Sequence, residues 1–435
     1  MNTFISNVID FFKSLSLWEK VAAGVIAAII LGAWRWLKPS RPKSSGKKEA
    51  VIRTGEGGIS QAAAGEGIKQ DLIINKPSSD KGTVINVMPG AQPIINVNYT
   101  DGLPNADNPK VRELFEKAWE HYKRKEYYEA IRTFTRCLGI ERDNEKRGAL
   151  NLLIGNCYYQ LRLYVKAAES YEAGLAESRK AGDLRGEASN LAGMANAYML
   201  MAASSGEERG QNVRKAVKHY GDALSIFKKD KYPVEYALTQ NNLGFAYTDL
   251  PAATPEEWAE NIRKGVDCYN EALKVRRKDE YPVEYAMTQN NLGLAYTDLP
   301  VGRAEEQTEN IRKAVDCYNE ALKVYRKDEY PVEYAATQNN LGLAYTDLPV
   351  ATPEERAENI RKAVDCYKEA LKVRKKDEYP HYYCQTAANM GIALASIGSQ
   401  DACYWLKEAY ALREYLEDQG RRIEELIEKE CKGKP

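Results

Sequence analysis

The chain has 435 residues with 62 basic and 62 acidic side chains, a balance that gives no global field to draw it to nucleic acid. Its length admits two or three domains or one long repeat array, and 30 glycines and 17 prolines are too few for a chain disordered throughout. The 29 tyrosines against 7 phenylalanines predict many half-buried rings whose hydroxyls reach water.

In chain order, "VAAGVIAAIILGAW" at 21–34 is continuously apolar, and Trp18 with the following "RWL" extends it to residues 18–37. At about 1.5 Å of rise per residue this stretch spans a hydrocarbon layer of roughly 30 Å. Trp18, Trp34 and Trp36 stand where interfacial anchors belong. Residues 1–37 are therefore expected to form an interfacial segment and a single transmembrane helix that engages the lipid bilayer through 18–37. No small-x-small cleavage pattern follows, which favours a retained anchor over a removed signal peptide. Arg35, Lys38, Arg41, Lys43, Lys47 and Lys48 crowd the carboxyl-terminal side, so the expected orientation puts the amino terminus outside and the remainder in the cytoplasm.

Residues 38–50 read as a basic flexible linker beside lipid headgroups. Residues 51–104 carry short β-branched runs, "LII", "TVINV" and "PIINV", cut by glycine and proline. They read either as a small strand-like module that pairs with copies of itself, giving a homo-oligomer, or as a linker. Their glycines lack a following Gly-Lys-Ser/Thr, so they make no phosphate loop.

From residue 105 the pattern turns helical and repetitive. Pro233, Pro282, Pro331 and Pro380 stand 49 residues apart, as do Gly244, Gly293, Gly342 and Gly391. A period held this long predicts a solenoid of helix pairs, each burying its apolar face on the next. The first helix of a unit is "YPVEYAATQNNLGLAY", with proline tolerated in the first turn and glycine marking a close helix approach. The second is "ENIRKAVDCYNEALKV", whose apolar residues recur at three and four positions. Thr254-Pro-Glu-Glu257 and Thr352-Pro-Glu-Glu355 read as capping boxes that start the second helix about two turns before that string.

These residues resemble the tetratricopeptide repeat (TPR) family, whose helix pair carries Leu-Gly and Tyr in the first helix and Ala, an aromatic and Ala-Leu in the second. Leu292, Gly293, Tyr296, Ala314, Tyr318, Ala321 and Leu322 match it, as do their equivalents one unit either side. The resemblance implies an all-α fold, a right-handed superhelical solenoid of about seven helix pairs over 105–412, closed by a capping helix and tail at 413–435. The 49-residue units exceed the family's usual length, and most of the surplus lies in and after "TDLP".

The string "TQNNLGLAY" is also similar to the repeats of the kinesin light chain, where a first-helix asparagine bonds the backbone of an extended peptide. That resemblance points to Asn241, Asn290 and Asn339 as peptide contacts, with Gln240, Gln289, Gln338, Thr248, Thr297 and Thr346 along the same channel. The adjacent Asn242, Asn291, Asn340 and Asn389 are expected to hold neighbouring backbone.

Chemistry-bearing motifs are sparse. The three histidines, His121, His219 and His381, fit no HExxH or metal spacing, and there is no GxSxG or kinase signature. The eight cysteines include no CxxC, and Cys268, Cys317 and Cys366 recur at one repeat position, as buried thiols in a reducing compartment would. The sequence therefore points away from an enzyme and from any cofactor or metal. It points to a membrane-tethered scaffold that binds a protein or peptide on the concave surface, with a structural protein that assembles through residues 51–104 and solenoid packing as the alternative.

Overall fold

A computed structural model describes residues 108–201, 205–300, 302–416 and 419–431. The expected transmembrane helix, basic linker and strand-like module lie outside these residues. Among the described residues no helix is long and apolar enough to cross a membrane.

Fifteen α-helices follow one another without a strand among the described residues. They are α1 (Pro109–Lys123), α2 (Tyr127–Ile140), α3 (Asn144–Gln160), α4 (Tyr164–Ala181) and α5 (Leu184–Leu200). Next come α6 (Gly206–Ile226), α7 (Pro233–Thr248), α8 (Pro255–Leu273), α9 (Pro282–Asp298) and α10 (Ala304–Leu322). The last are α11 (Pro331–Asp347), α12 (Pro353–Leu371), α13 (Pro380–Ala395), α14 (Ala402–Tyr410) and α15 (Gln419–Glu430). Each odd helix packs on the even helix after it, and successive odd helices from α3 to α13 also touch. The result is an all-α solenoid of helix pairs.

Local chemistry explains the boundaries. Asp143, Asp183 and Ser205 accept the backbone N–H three residues on, starting α3, α5 and α6. Thr254 Oγ1 accepts from Glu257 N–H at 3.1 Å, and Thr352 Oγ1 from Glu355 N–H at 3.2 Å. The two glutamates return the bond to Ala253 N–H and Ala351 N–H, one residue earlier than in a standard capping box. Arg303 stands at the same place before α10 and makes no side-chain cap. The helices α8, α10 and α12 each run 19 residues, against 21 for α6, so length alone does not set the 49-residue units apart.

The core is built from glycine on first helices and tyrosine on second helices. A Cβ placed on Gly244, Gly293 or Gly342 would lie 2.8, 2.7 or 2.6 Å from a ring atom of Tyr269, Tyr318 or Tyr367. No side chain larger than hydrogen fits there. These tyrosines, with Tyr171 and Tyr220, are at most 1% exposed, whereas others such as Tyr236, Tyr247, Tyr285, Tyr296, Tyr334 and Tyr345 are half-buried, as the composition led one to expect. Tyr171 donates to Asn156 Oδ1 at 2.8 Å and Tyr220 to Asn196 Oδ1 at 2.5 Å, while the Tyr318 hydroxyl has no partner.

At the carboxyl end, Ile423 of α15 is fully buried against Leu406 and Ala387. Cys403 and Cys431 form a disulfide with Cα atoms 5.5 Å apart, contrary to the expectation of thiols throughout. Cys137, Cys157, Cys268, Cys317, Cys366 and Cys384 are free, and burial pushes Cys268, Cys317 and Cys366 up to about 12.

Candidate functional site

The first helices bring the expected asparagines together, but not at an open surface. Asn241, Asn290 and Asn339 are 3%, 0% and 0% exposed. The Oδ1 of Asn241 accepts from Asn291 Nδ2 at 3.4 Å, that of Asn290 from Asn340 Nδ2 at 3.4 Å, and that of Asn339 from Asn389 Nδ2 at 3.3 Å. Asn242 Nδ2 reaches back to Asn196 Oδ1 at 3.1 Å. The two asparagines of each unit thus form one polar seam along the odd helices, in which Asn290 Nδ2, Asn339 Nδ2 and Asn340 Oδ1 have no partner. The expectation of an open row for a peptide backbone is corrected: packing on adjacent first helices removes these carboxamides from solvent, where an unpaired amide would be costly.

The hydroxyls extend the seam. Thr288 Oγ1 stands 3.2 Å from Asn241 Oδ1, and Thr337 Oγ1 stands 3.2 Å from Asn290 Oδ1. Behind Thr288 lies Arg276, whose Nη1 donates to that hydroxyl at 2.8 Å; Arg374 donates to Thr386 in the same way. Both arginines are 4% exposed, and burial pushes each guanidinium down to about 10. The same repeat position holds Phe227 and Tyr325, also buried. Nothing in the "VRRKDEYP" string distinguished this buried arginine from its solvated neighbours.

The other expected contacts face elsewhere. Gln240, Gln289 and Gln338 are half-buried beside Tyr236, Tyr285 and Tyr334 on the same helix and hydrogen-bond them. Those tyrosines donate to Glu271, Glu320 and Glu369 at 3.0, 3.3 and 3.1 Å. Thr248 and Thr297 donate to the Phe245 and Leu294 carbonyls at 3.0 and 2.7 Å, and Thr346 to the Gly342 carbonyl at 2.9 Å. Thr346 Oγ1 also lies 3.2 Å from the buried Tyr367 hydroxyl inside the helix pair. The threonines and asparagines therefore do not line one channel.

Open space lies instead between second helices. A groove of about 440 Å³ separates α10 from α12, walled by Leu348, Pro349, Val350 and Ala351 of the connecting loop and by Arg312, Glu358, Asn359 and Lys362. Asn359 is 7% exposed and its Nδ2 has no hydrogen-bond partner. Asn212, Asn261 and Asn310 occupy the same position in earlier units, and the Nδ2 atoms of Asn212 and Asn261 are likewise unpartnered and buried. The signal was in the sequence: "ENIRKAV" places a polar residue at the buried phase of an amphipathic helix.

Comparison with solved structures agrees with the helix-pair architecture. A signal transduction ATPase with numerous domains (STAND) from Pyrococcus horikoshii, described with a tetratricopeptide repeat sensor, superposes with a TM-score of 0.52 at 17% identity. The match covers 73% of this chain and 44% of that one. The fold is an all-α solenoid of helix pairs similar to that TPR-containing protein's. A tetratricopeptide repeat protein from Parabacteroides merdae aligns over 74% of this chain and 100% of its own, with TM-score 0.44 and 14% identity. NprR in complex with its cognate peptide NprX aligns over 75% and 84%, with TM-score 0.42 and 14% identity. No protein-family profile and no curated protein matches the chain. The present chain spans less than half of the STAND protein, and the likeness concerns the TPR solenoid alone.

Proposed function

We propose that this solenoid is a membrane-tethered scaffold that recruits a protein partner through an extended segment laid along its repeats. The supporting observation is the division of labour among polar groups. The asparagine seam and the glycine–tyrosine contacts lie buried and hold unit to unit, while the loop-walled groove between α10 and α12 is open and presents the exposed Arg312 at its rim. A rigid array with a surface repeated at fixed spacing suits an extended partner better than a small substrate. The sensor role described for the STAND protein, brought to this chain, is recognition of another molecule. The reading is of binding and not of catalysis, since the fold gathers amides and hydroxyls that bond each other.

The tethering is argued from the apolar stretch 18–37, and a cytoplasmic orientation of the repeats from its flanking charge. The test uses the full chain in its membrane, with a photoreactive benzoylphenylalanine in place of Val332, at the exposed start of α11, or Ala351, in the groove wall. A discrete crosslinked protein is expected from at least one position. Once purified, that protein should bind saturably. Absence of any discrete product from both positions sinks the scaffold reading.

A further inference from the structure

We propose that the groove between α10 and α12 takes the carboxylate of an acidic side chain on the partner's extended segment; the inference rests on the scaffold reading and names its contact. Two donors face this groove without a partner of their own. The Nδ2 of Asn359 is buried and unbonded, and such a donor calls for an acceptor. Arg312 is exposed at the rim and makes no ion pair among the described residues.

The other charged groups of the groove are already committed. Glu358 lies 3.1 Å from Arg361 and 3.6 Å from Lys362, and Glu355 accepts from Ala351 N–H at 3.0 Å. The free valences are therefore one guanidinium fork and one amide N–H. A carboxylate suits the fork through paired hydrogen bonds and accepts from the amide once the buried Asn359 side chain turns outward. A neutral carbonyl would meet the amide and leave the arginine without gain. A dianionic phosphate would meet about twice the repulsion from Glu355 and Glu358 that a single carboxylate meets in the same walls. Leu348, Pro349 and Val350 add apolar contact for the flanking part of the segment.

The arrangement recurs two units earlier. Arg214 and Asn261 stand 98 positions before Arg312 and Asn359 (312 − 214 and 359 − 261), with Leu250, Pro251, Ala252 and Ala253 in the loop. A Cβ on Gly210 would lie 3.3 Å from both Arg214 Nη2 and Pro251 Cγ, so this loop too reaches the second helix beside Arg214. Asn261 Nδ2 is again buried and unbonded. The unit between them differs: Arg263 comes within 3.9 Å of Glu260, and Arg303 replaces the capping threonine. That middle unit serves as an internal control.

The experiment uses the full chain in detergent micelles and a fluorescein-labelled, end-blocked hexapeptide of alternating Glu and Ala, with the Gln–Ala peptide as comparison, read by anisotropy. Saturable binding of the Glu peptide is expected, with the Gln peptide at least roughly tenfold weaker. Arg312→Gln combined with Arg214→Gln should weaken the Glu peptide roughly tenfold or more, and Asn359→Ala severalfold, with melting curves unchanged for the arginine variants. Arg263→Gln should change it less than about twofold. No saturable binding of the Glu peptide, or equal binding by the double arginine variant, overturns the assignment. If the parent chain crosslinks a partner from Ala351 but binds no Glu peptide, the scaffold reading stands and the carboxylate site falls. Arg312-dependent peptide binding with no crosslinked partner would do the reverse.

Discussion

Asn340 Nδ2 donates to Asn290 Oδ1 across 3.4 Å, joining α11 to α9 through residues 50 positions apart in the chain. The same oxygen lies 3.2 Å from Thr337 Oγ1, and both asparagines are buried. Asn290→Ala removes an acceptor from two buried donors at once, with an expected cost of about 1–3 kcal/mol. Gln289→Ala, one residue away on the half-buried side, should stay within about 0.5 kcal/mol. Urea unfolding of the full chain followed by far-UV circular dichroism compares them. Equal losses would mean that the seam carries no more weight than the surface beside it.

The glycine–tyrosine contacts give a sharper comparison. Gly293→Ala forces a methyl to within 2.7 Å of the Tyr318 ring, so overpacking of about 1–3 kcal/mol is expected, and Gly293→Ala with Tyr318→Leu should recover part of it. Gly221, in α6, has nothing within 4 Å of its Cβ position. There Gly221→Ala should stabilise by about 0.5–1 kcal/mol through helix propensity alone. Melting temperatures moving in opposite directions for the two alanines are the expected result. Gains at both positions would show that helix propensity, and not the Tyr318 ring, decides both sites.

The period, the glycine positions and the capping threonines were legible because each is a local rule repeated at one spacing. Gly293 faces Tyr318, and Thr352 starts α12, for reasons a few residues long. The asparagine seam was misplaced because α7, α9 and α11 are packed on several sides. Where nearly every face is covered, polarity no longer marks the solvent side, and Asn290 at 0% exposure looks in sequence like a surface residue. Arg276 was missed for the opposite reason: it sits in a charged run, and only the three-dimensional approach of Thr288 shows that its head group is buried. The pairing of Cys403 with Cys431 required knowing that α15 folds back beside α14.

The loop before α10 lacks what its neighbours have. Thr254 and Thr352 each accept a backbone N–H, whereas Arg303 holds the same extended backbone, φ −128° and ψ 143°, with no side-chain acceptor. Arg303→Thr should therefore stabilise by about 0.5–2 kcal/mol, and Thr352→Ala should destabilise by a similar amount. Hydrogen exchange at the first amides of α10 and α12 reads both changes locally. A threonine at 303 that leaves α10 exchange unchanged would show that backbone geometry alone, and not the missing acceptor, governs that end.

Alkaline pH should loosen the solenoid in a defined order. Burial holds the thiols of Cys268, Cys317 and Cys366 at about 12, above their ordinary value of 9, so the unfolded chain loses these protons first. The stability they contribute is complete below pH 9 and is lost as pH rises towards 12. The buried Tyr269, Tyr318 and Tyr367, raised by desolvation from an ordinary value of 10, add their loss only above pH 10. The fall in urea midpoint between pH 9 and 10 should be shallower in the Cys268→Ala, Cys317→Ala, Cys366→Ala variant than in the parent. An identical slope would remove the thiols from the account.

The Cys403–Cys431 pair connects the fold to the compartment. Its closed loop of 28 residues is worth about 3 kcal/mol by constraint of the unfolded chain, and it fastens α15, whose Ile423 packs on Leu406. Cytosolic thiol buffers keep such pairs reduced, while the space outside an inner membrane oxidises them. If the repeats face the cytoplasm, as the basic side of residues 18–37 implies, trapping in intact cells should find both cysteines alkylated. The purified protein should then close the bond in air, and α15 exchange should slow when it does. Quantitative mass spectrometry of acid-quenched, alkylated cells makes the measurement. A bond already closed in cells would put the repeats on the oxidising side and overturn the orientation drawn from flanking charge, leaving the solenoid and its grooves unchanged.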